Sequence, residues 1–267
     1  MQDYLKTAIS AARSAGKIIR DRFGDDQLKV RHKGRIDLVT EVDVACEKEL
    51  RSVILSDWPE HAILGEEEGR QGQGKALWIV DPLDGTRSFA HGYPMVCVSV
   101  ALEIEGRLEV GVVYDPLRDE LFQAVRGQGA FLNDRPIQAS EAESLEQSLL
   151  VTGFPYHLAE FDSSALFGLF RDFVVASGGI RRDGSAALDF CYIACGRLDG
   201  YWEFFLHPWD AAAGALIAAE AGALVTNLAG ADYDIRVAEV LACTPKIQPA
   251  MIRVAAPYLE NMRALLR

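Results

Sequence analysis

Asp81 and Asp84 stand three residues apart in the stretch WIVDPLDGTRSF, where an apolar run stops on one carboxylate and presents a second. Two like charges at that spacing repel one another unless something positive lies between them. Pro82 fixes its own φ and Gly85 allows a tight reversal, so the turn can aim both carboxylates at one point, with the Leu83 carbonyl between them. Three hard oxygen donors converging in this way suit Mg2+ or Mn2+, which favour carboxylate, carbonyl and water. ILGEEEG is a second source of carboxylates. Side chains alternate on an extended chain, so Glu67 faces opposite to Glu66 and Glu68, and the pattern leaves open which face meets a cation. The third source is Asp210 in HPWDAAAGALIAAEAG, which also reads as the N-cap of an alanine-rich helix. Each stretch alone reads equally well as a polar turn, solvated glutamates or a helix cap.

The elements that must bring these residues together follow from hydrophobic spacing. Leu5, Ala8, Ile9, Ala12, Ile19 and Phe23 fall at helical intervals, so the chain opens with an amphipathic helix ending near Gly24. A loop carrying Lys33 and Asp37 follows. A second helix starts at Thr40, which can cap it and form a capping box with Asp43. From HAILGEEEG to about Ser140 the pattern is that of strands, with RLEVGVVY placing Leu108, Val110, Val112 and Tyr114 on one face. The turn clusters DPLRDE, RGQG and LNDRP make this half an antiparallel meander. Beyond SEAESLEQS, the strand-like LLVTGF, GYWEFFL, ALVTNL and EVLAC alternate with helices near 164–174, 185–196, 210–222 and 249–266. The expected architecture is layered α and β. Residues 1–143 form an α+β half with the antiparallel sheet and most of the acidic donors, and residues 144–267 an α/β half that supplies Asp210.

A chain of 267 residues with 49% hydrophobic and 25% charged residues is an ordinary soluble globular protein. Its net charge of -12 argues against a basic nucleic-acid surface. The N-terminal MQDYLKTAISAARSAGKIIRDRF lacks the pattern of a signal peptide, and no apolar stretch approaches the roughly 20 residues that span a bilayer. Five cysteines without a CxxC pair indicate reduced thiols and a cytoplasmic location. Glu203, in the aromatic strand YWEFFL, is costly to bury unless it is paired or faces a cleft. His207 reads as a structural histidine, and nothing suggests zinc.

Taken together, GEE, WIVDPLDGTRSF and WDAAAGALIAAEAG resemble the signature segments of the inositol monophosphatase family. RRDGSAALDFCYIACGRLDGYWEF and YDPLRDELFQAVRGQGAFLN are similar to its bacterial SuhB-type members, and the resemblance runs in order from the first helix to about Gly230. It implies a layered αβαβα sandwich of the sugar-phosphatase type, a homodimer and a Mg2+-dependent, Li+-sensitive phosphomonoesterase. By that resemblance Glu67, Asp81 and the Leu83 carbonyl hold one ion, Asp81, Asp84 and Asp210 a second, and a third binds more weakly near Glu67, with Mn2+ an alternative metal. Glu67 and Thr86 position the attacking water, and Gly85 and Thr86 open a short helix toward the phosphate. Glu203 receives substrate hydroxyls, Ser185 and Ala186 line the ligand, and Lys33, Asp37 and Asp43 belong to a loop and helix entry over the site.

The family's default substrate is inositol 1-phosphate, a polyol monophosphate. Arg87 and Ser88 depart from the DGTTNF of most members, and an arginine there also occurs in some histidinol-phosphatase members. Histidinol phosphate, fructose 1,6-bisphosphate and 3'-phosphoadenosine 5'-phosphate are therefore alternatives, the last without an added segment to build a base pocket. Some SuhB-type proteins act in transcription through antitermination factors and RNA. The acidic balance disfavours direct RNA binding here and leaves a protein partner open.

Overall fold

The computed structural model describes residues 1–25, 27–28, 30–32 and 38–266, so Lys33 and Asp37 lie outside the described residues. Helical spacing near the N-terminus produces α1 (Gln2–Arg22), which buries Ala8, Ala12, Ala15 and Ile19. A short hairpin of β1 (Val30–His32) and β2 (Leu38–Thr40) precedes α2 (Glu41–Asp57). Thr40 caps α2: its hydroxyl accepts from the Val42 amide at 3.1 Å, while Asp43 Oδ2 accepts from the Thr40 amide at 2.8 Å.

The larger sheet contains β3 (Ala62–Gly65), β4 (Gly69–Gln71), β5 (Ala76–Asp84), β6 (Cys97–Ile104), β7 (Arg107–Asp115), β8 (Glu120–Val125), β9 (Ala130–Leu132) and β10 (Arg135–Ile137). Its spatial order is β10-β9-β8-β7-β6-β5-β3-β4. From β5 to β10 every strand pairs antiparallel with the next. The expectation of a wholly antiparallel sheet fails at one place, where β3 runs parallel to β5 with Gly65 level with Val80. The chain leaves β3 by a hairpin to the edge strand β4, then returns on the other side of β3, and two reversals restore its direction.

The smaller sheet has the order β12-β11-β13-β15-β14, built from β11 (Leu149–Thr152), β12 (Gly179–Arg181), β13 (Gly200–Phe204), β14 (Leu224–Thr226) and β15 (Glu239–Cys243). The remaining helices are α3 (Thr86–Ala90), α4 (Ser164–Ala176), α5 (Ala186–Ala194), α6 (Pro208–Glu220), α7 (Gln248–Ala255) and α8 (Leu259–Leu265). The single helix expected over 249–266 is interrupted by a 3-10 turn at Ala256–Tyr258. Pro257 in that turn lacks an N–H and crowds the preceding turn, so the helix cannot run through.

Strand alternation sets the layers. Trp78 and Val80 of β5 pack with Ala12 of α1 and Leu50 of α2, while Leu77 and Ile79 point the other way to Phe190 of α5 and Leu216 of α6. Val240 and Ala242 of β15 join that middle core from the second sheet. Leu241 and Cys243 face outward to Phe173 of α4 and Met251 of α7. The result is an αβαβα sandwich. α6 lies between two sheets, so Ala211 through Ala218 are all buried, and only small side chains let both sheets approach. Among the described residues no helix is long and apolar enough to cross a membrane.

Candidate active site

β5 carries two of the acidic donors at its C-terminal end, and an irregularity there makes them work together. Residues three apart on a regular strand point to opposite faces. Here Asp81 pairs with Ser99 and Asp84 with Cys97, so three steps on β5 match two on β6. The extra residue of this bulge returns Asp84 to the face used by Asp81. Pro82, which has no N–H to give to a ladder, sits inside the irregularity. The Leu83 amide donates back to Asp81 Oδ1 at 3.0 Å. Gly85 then takes φ +94, and a Cβ there would lie 2.4 Å from the Met95 carbonyl oxygen, so no other residue fits the turn into α3.

Each carboxylate is held by backbone or hydroxyl donors from another element. Asp84 Oδ2 accepts from Ser185 Oγ at 2.7 Å and from the Ala187 amide at 2.8 Å, at the N-terminus of α5. Ser185 is thus both the cap of α5 and the anchor of Asp84. Asp210 is not the N-cap expected for α6. His207 occupies that position and Pro208 the first turn, so Asp210 falls at the third helical residue and its Oδ2 accepts from the His207 amide at 2.7 Å. Thr86 Oγ1 lies 2.7 Å from Asp43 Oδ1 and 3.1 Å from the Leu83 carbonyl oxygen. Asp43 therefore spends one oxygen on Thr86 and the other on Thr40, whose hydroxyl donates at 2.5 Å. It orients Thr86 from within α2, where burial raises its pKa.

The acidic turn after β3 requires a correction. Glu66, rather than the expected Glu67, joins the aspartates. The parallel register that sets Gly65 beside Val80 places the next residue, Glu66, beside Asp81. Residues 66–68 form the turn from β3 to β4, so strand alternation stops short of Glu67. Glu66 lines both cavities of the site and Glu67 lines neither. The backbone of the turn is strapped to α2 by the buried Glu47, which accepts from the Glu67 amide at 2.7 Å and the Glu68 amide at 3.0 Å. Arg51 completes the strap, pairing with Glu47 at 2.7 Å and with the Gly69 carbonyl at 2.7 Å.

Glu66, Asp81, Leu83, Asp84, Thr86 and Asp210 meet around a cavity of about 80 Å3. Asp81 is held well above the usual carboxylate range, by burial first and then by the charges of Glu66, Asp84 and Asp210. Burial and Asp84 do the same to Asp210. Burial also raises Asp84, against the donors at its Oδ2. Mutual repulsion among buried carboxylates, with a peptide carbonyl beside them, is the donor chemistry of a hard divalent cation. Among the described residues, no three His, Cys, Asp or Glu side chains close on one point as a finished cage. A site of this kind is completed by the Leu83 carbonyl, water and ligand oxygens, as suits Mg2+.

A second cavity of about 480 Å3 shares Glu66, Asp84 and Asp210 with the first and is lined also by Ser185, Ala186 and Glu203. Burial lifts the Glu203 carboxyl to about 7, although Tyr201 Oη donates to its Oε2 at 2.7 Å. A Cβ at Gly153 would come within 2.0 Å of Glu203 Oε1, so the glycine keeps space for that carboxyl. Arg87, marked in the sequence as a departure from the family pattern, sets its guanidinium 4.8 Å over the Tyr156 ring, and sequence reasoning missed that partner; both residues line the small cavity. Sequence reasoning likewise missed Arg182 and Asp189 on the wall of the large one. For Asp189 a signal existed, since a carboxylate inside the apolar run AALDFCYIA has no place in a core.

A family model described as the inositol monophosphatase family matches residues 1–260. The chain is 44% identical over 265 residues to the Pseudomonas aeruginosa protein named Nus factor SuhB, covering 97% of this chain and 98% of that protein. It is 44% identical over 260 residues to an inositol-1-monophosphatase of Synechocystis sp., covering 96% of this chain and 90% of that protein. Among solved structures, extragenic suppressor protein suhB from Bartonella henselae superposes with a TM-score of 0.90 at 37% identity, over 95% of this chain and 98% of the other.

Proposed function

The chain belongs to the inositol monophosphatase family, a family of phosphatases, and from that premise we propose that it is a Mg2+-dependent phosphomonoesterase of small polyols or sugars. Inositol 1-phosphate is the first substrate to test. One observation carries the reading: the bulge in β5 aims Asp81 and Asp84 at a cavity where Glu66 and Asp210 arrive from separate parts of the chain, and that cavity shares Glu66, Asp84 and Asp210 with a larger one.

In this reading Glu66, Asp81 and the Leu83 carbonyl would hold one ion, and Asp81, Asp84 and Asp210 would hold a second. Glu66 takes the place first given to Glu67. Two to three bound Mg2+ ions, or Mn2+, would lower the pKa of coordinated water and offset the charge that develops on the ester oxygens. Thr86 orients the attacking water. Its proton is directed to Asp43 Oδ1, which leaves lone pairs on Oγ1 to accept from water. Glu203, with Ser185 and Ala186 beside it, accepts hydroxyl groups of the alcohol that departs. Positioning and charge stabilisation supply most of the rate, since transfer to water in line needs no covalent intermediate.

The test is phosphate release with Mg2+ titrated, on inositol 1-phosphate, histidinol phosphate, fructose 1,6-bisphosphate and 3'-phosphoadenosine 5'-phosphate. Higher kcat/KM on the bisphosphate than on inositol 1-phosphate would overturn the substrate ranking. Asp84→Asn is expected to lower kcat by about 10³-fold or more, the scale of losing a transition-state charge contact, with Li+ inhibiting the unaltered protein. Normal turnover of Asp84→Asn in saturating Mg2+ would sink the ligand set. A second reading draws on the relative named Nus factor SuhB: in it this chain is a cytoplasmic dimer that also binds a transcription-factor partner. Co-purification with such factors, undisturbed by Asp84→Asn, supports it, and its absence at near-cellular concentrations removes it.

A further inference from the structure

Asp189 sits one turn into α5 at 1% exposure, and its Oδ1 finds no hydrogen-bond partner among the described residues. It borders the larger cavity together with Glu203 and Arg182. A buried carboxyl with an idle oxygen lowers stability and is retained where an incoming group completes it. Its neighbours on α5 are buried apolar residues, Leu188, Phe190 and Cys191, so it does not serve solubility, and the cap of α5 is Ser185. Arg182 lies on the same wall, with its guanidinium 3.5 Å from the Phe154 carbonyl oxygen.

The two cavities divide the work. Asp81, Leu83 and Thr86 border only the small one, whereas Asp189 and Glu203 border only the large one. A phosphoryl group at the small cavity therefore directs the rest of the ester toward Glu203 and Asp189. We infer that Asp189 is a specificity-determining residue that accepts a hydrogen bond from a second hydroxyl on the departing polyol, next to the one received by Glu203. The inference rests on the reading of the site as a polyol phosphatase.

The experiment compares kcat/KM for inositol 1-phosphate with that for ethyl phosphate, which has no hydroxyl to reach the large cavity. Asp189→Leu is expected to lower the ratio about tenfold, chiefly through KM, the scale of one hydrogen bond. Asp189→Asn keeps an acceptor oxygen and is expected to hold the ratio within about threefold of the unaltered chain. Equal changes on both esters, or none, would overturn the assignment. Should Asp189→Leu fail to fold, Asp189→Ala carries the same comparison. Calorimetric binding of inositol 1-phosphate with Ca2+ as the ion separates recognition from turnover. A chain that binds the ester through Asp189 but hydrolyses none sinks the phosphatase reading alone. Equal affinity in Asp189→Leu sinks the inference alone, and no binding by the unaltered chain sinks both.

Discussion

The exchange of Glu66 for Glu67 turns on one peptide unit. The sequence shows three consecutive glutamates and a period of two, which divides them into two faces without saying which face is inward. In the fold that period does not reach them: β3 ends at Gly65, level with Val80, and the glutamates form the turn to β4, where Glu66 borders the small cavity. Glu66→Gln is therefore expected to raise the half-saturating Mg2+ concentration and lower kcat by about 10²-fold, while Glu67→Gln stays within about threefold. The reverse ranking in a metal titration would restore the original assignment. Glu203 gives a pH test at the same scale. Burial raises its pKa to about 7 in the native state, above the roughly 4.3 of an unfolded glutamate. A raised carboxyl favours folding at low pH, and that contribution is lost as pH rises through the folded value. Glu203→Gln should thus be more stable than the unaltered chain by about 3–4 kcal/mol at pH 8, with the gap closing near pH 4.5. Urea unfolding at the two pH values measures it, and a constant gap would refute the shift.

At the scale of elements, what could be read in the sequence was what local periodicity encodes. α1 and α2 follow from 3.6-residue spacing, the meander from β5 to β10 from alternation and turns, and the Asp81–Asp84 pairing from Pro82 and Gly85. What could not be read depends on pairing between segments. β3 and β5 are both apolar on both faces, so their composition fits either direction, and α5 gives no local hint that Ser185 will reach Asp84. The Glu47 strap is of this second kind. Glu47 is fully buried, and through the Glu67 and Glu68 amides it fixes the turn that carries Glu66. Glu47→Ala leaves the buried Arg51 with only the more exposed Glu68 carboxylate at 3.4 Å and frees both amides, at a cost on the order of 3 kcal/mol. Glu47→Gln keeps an acceptor and should fold. It is expected to raise the half-saturating Mg2+ concentration severalfold while leaving the Asp84–Ser185 anchor intact. Unchanged metal affinity in a folded Glu47→Gln would show that the turn holds its place without the strap.

Across the whole molecule, the donors depend on α6 lying flat between the sheets. Its first turn carries Asp210, and its body packs on β7 so closely that a Cβ at Gly111 would lie 2.8 Å from the Ala213 carbonyl oxygen and 3.2 Å from the Ala213 Cα. These are backbone atoms inside a filled core, so a side chain at Gly111 cannot be accommodated by a rotamer change. Gly111→Val must push α6 away from the larger sheet. Overpacking of this kind costs about 1–3 kcal/mol, which for a chain of this size lowers Tm by roughly 3–10 °C. The displacement also draws Asp210 from Asp81 and Asp84, which sit on the sheet that stays behind. Below the lowered Tm, Gly111→Val is expected to need severalfold more Mg2+ for half-maximal rate. The Thr86–Asp43 arrangement, held by α2 and α3 on the opposite face of the larger sheet, is untouched. A variant that loses stability but keeps its metal affinity would mean that the first turn of α6 moves independently of its body, and the site would then not depend on the sandwich as a unit.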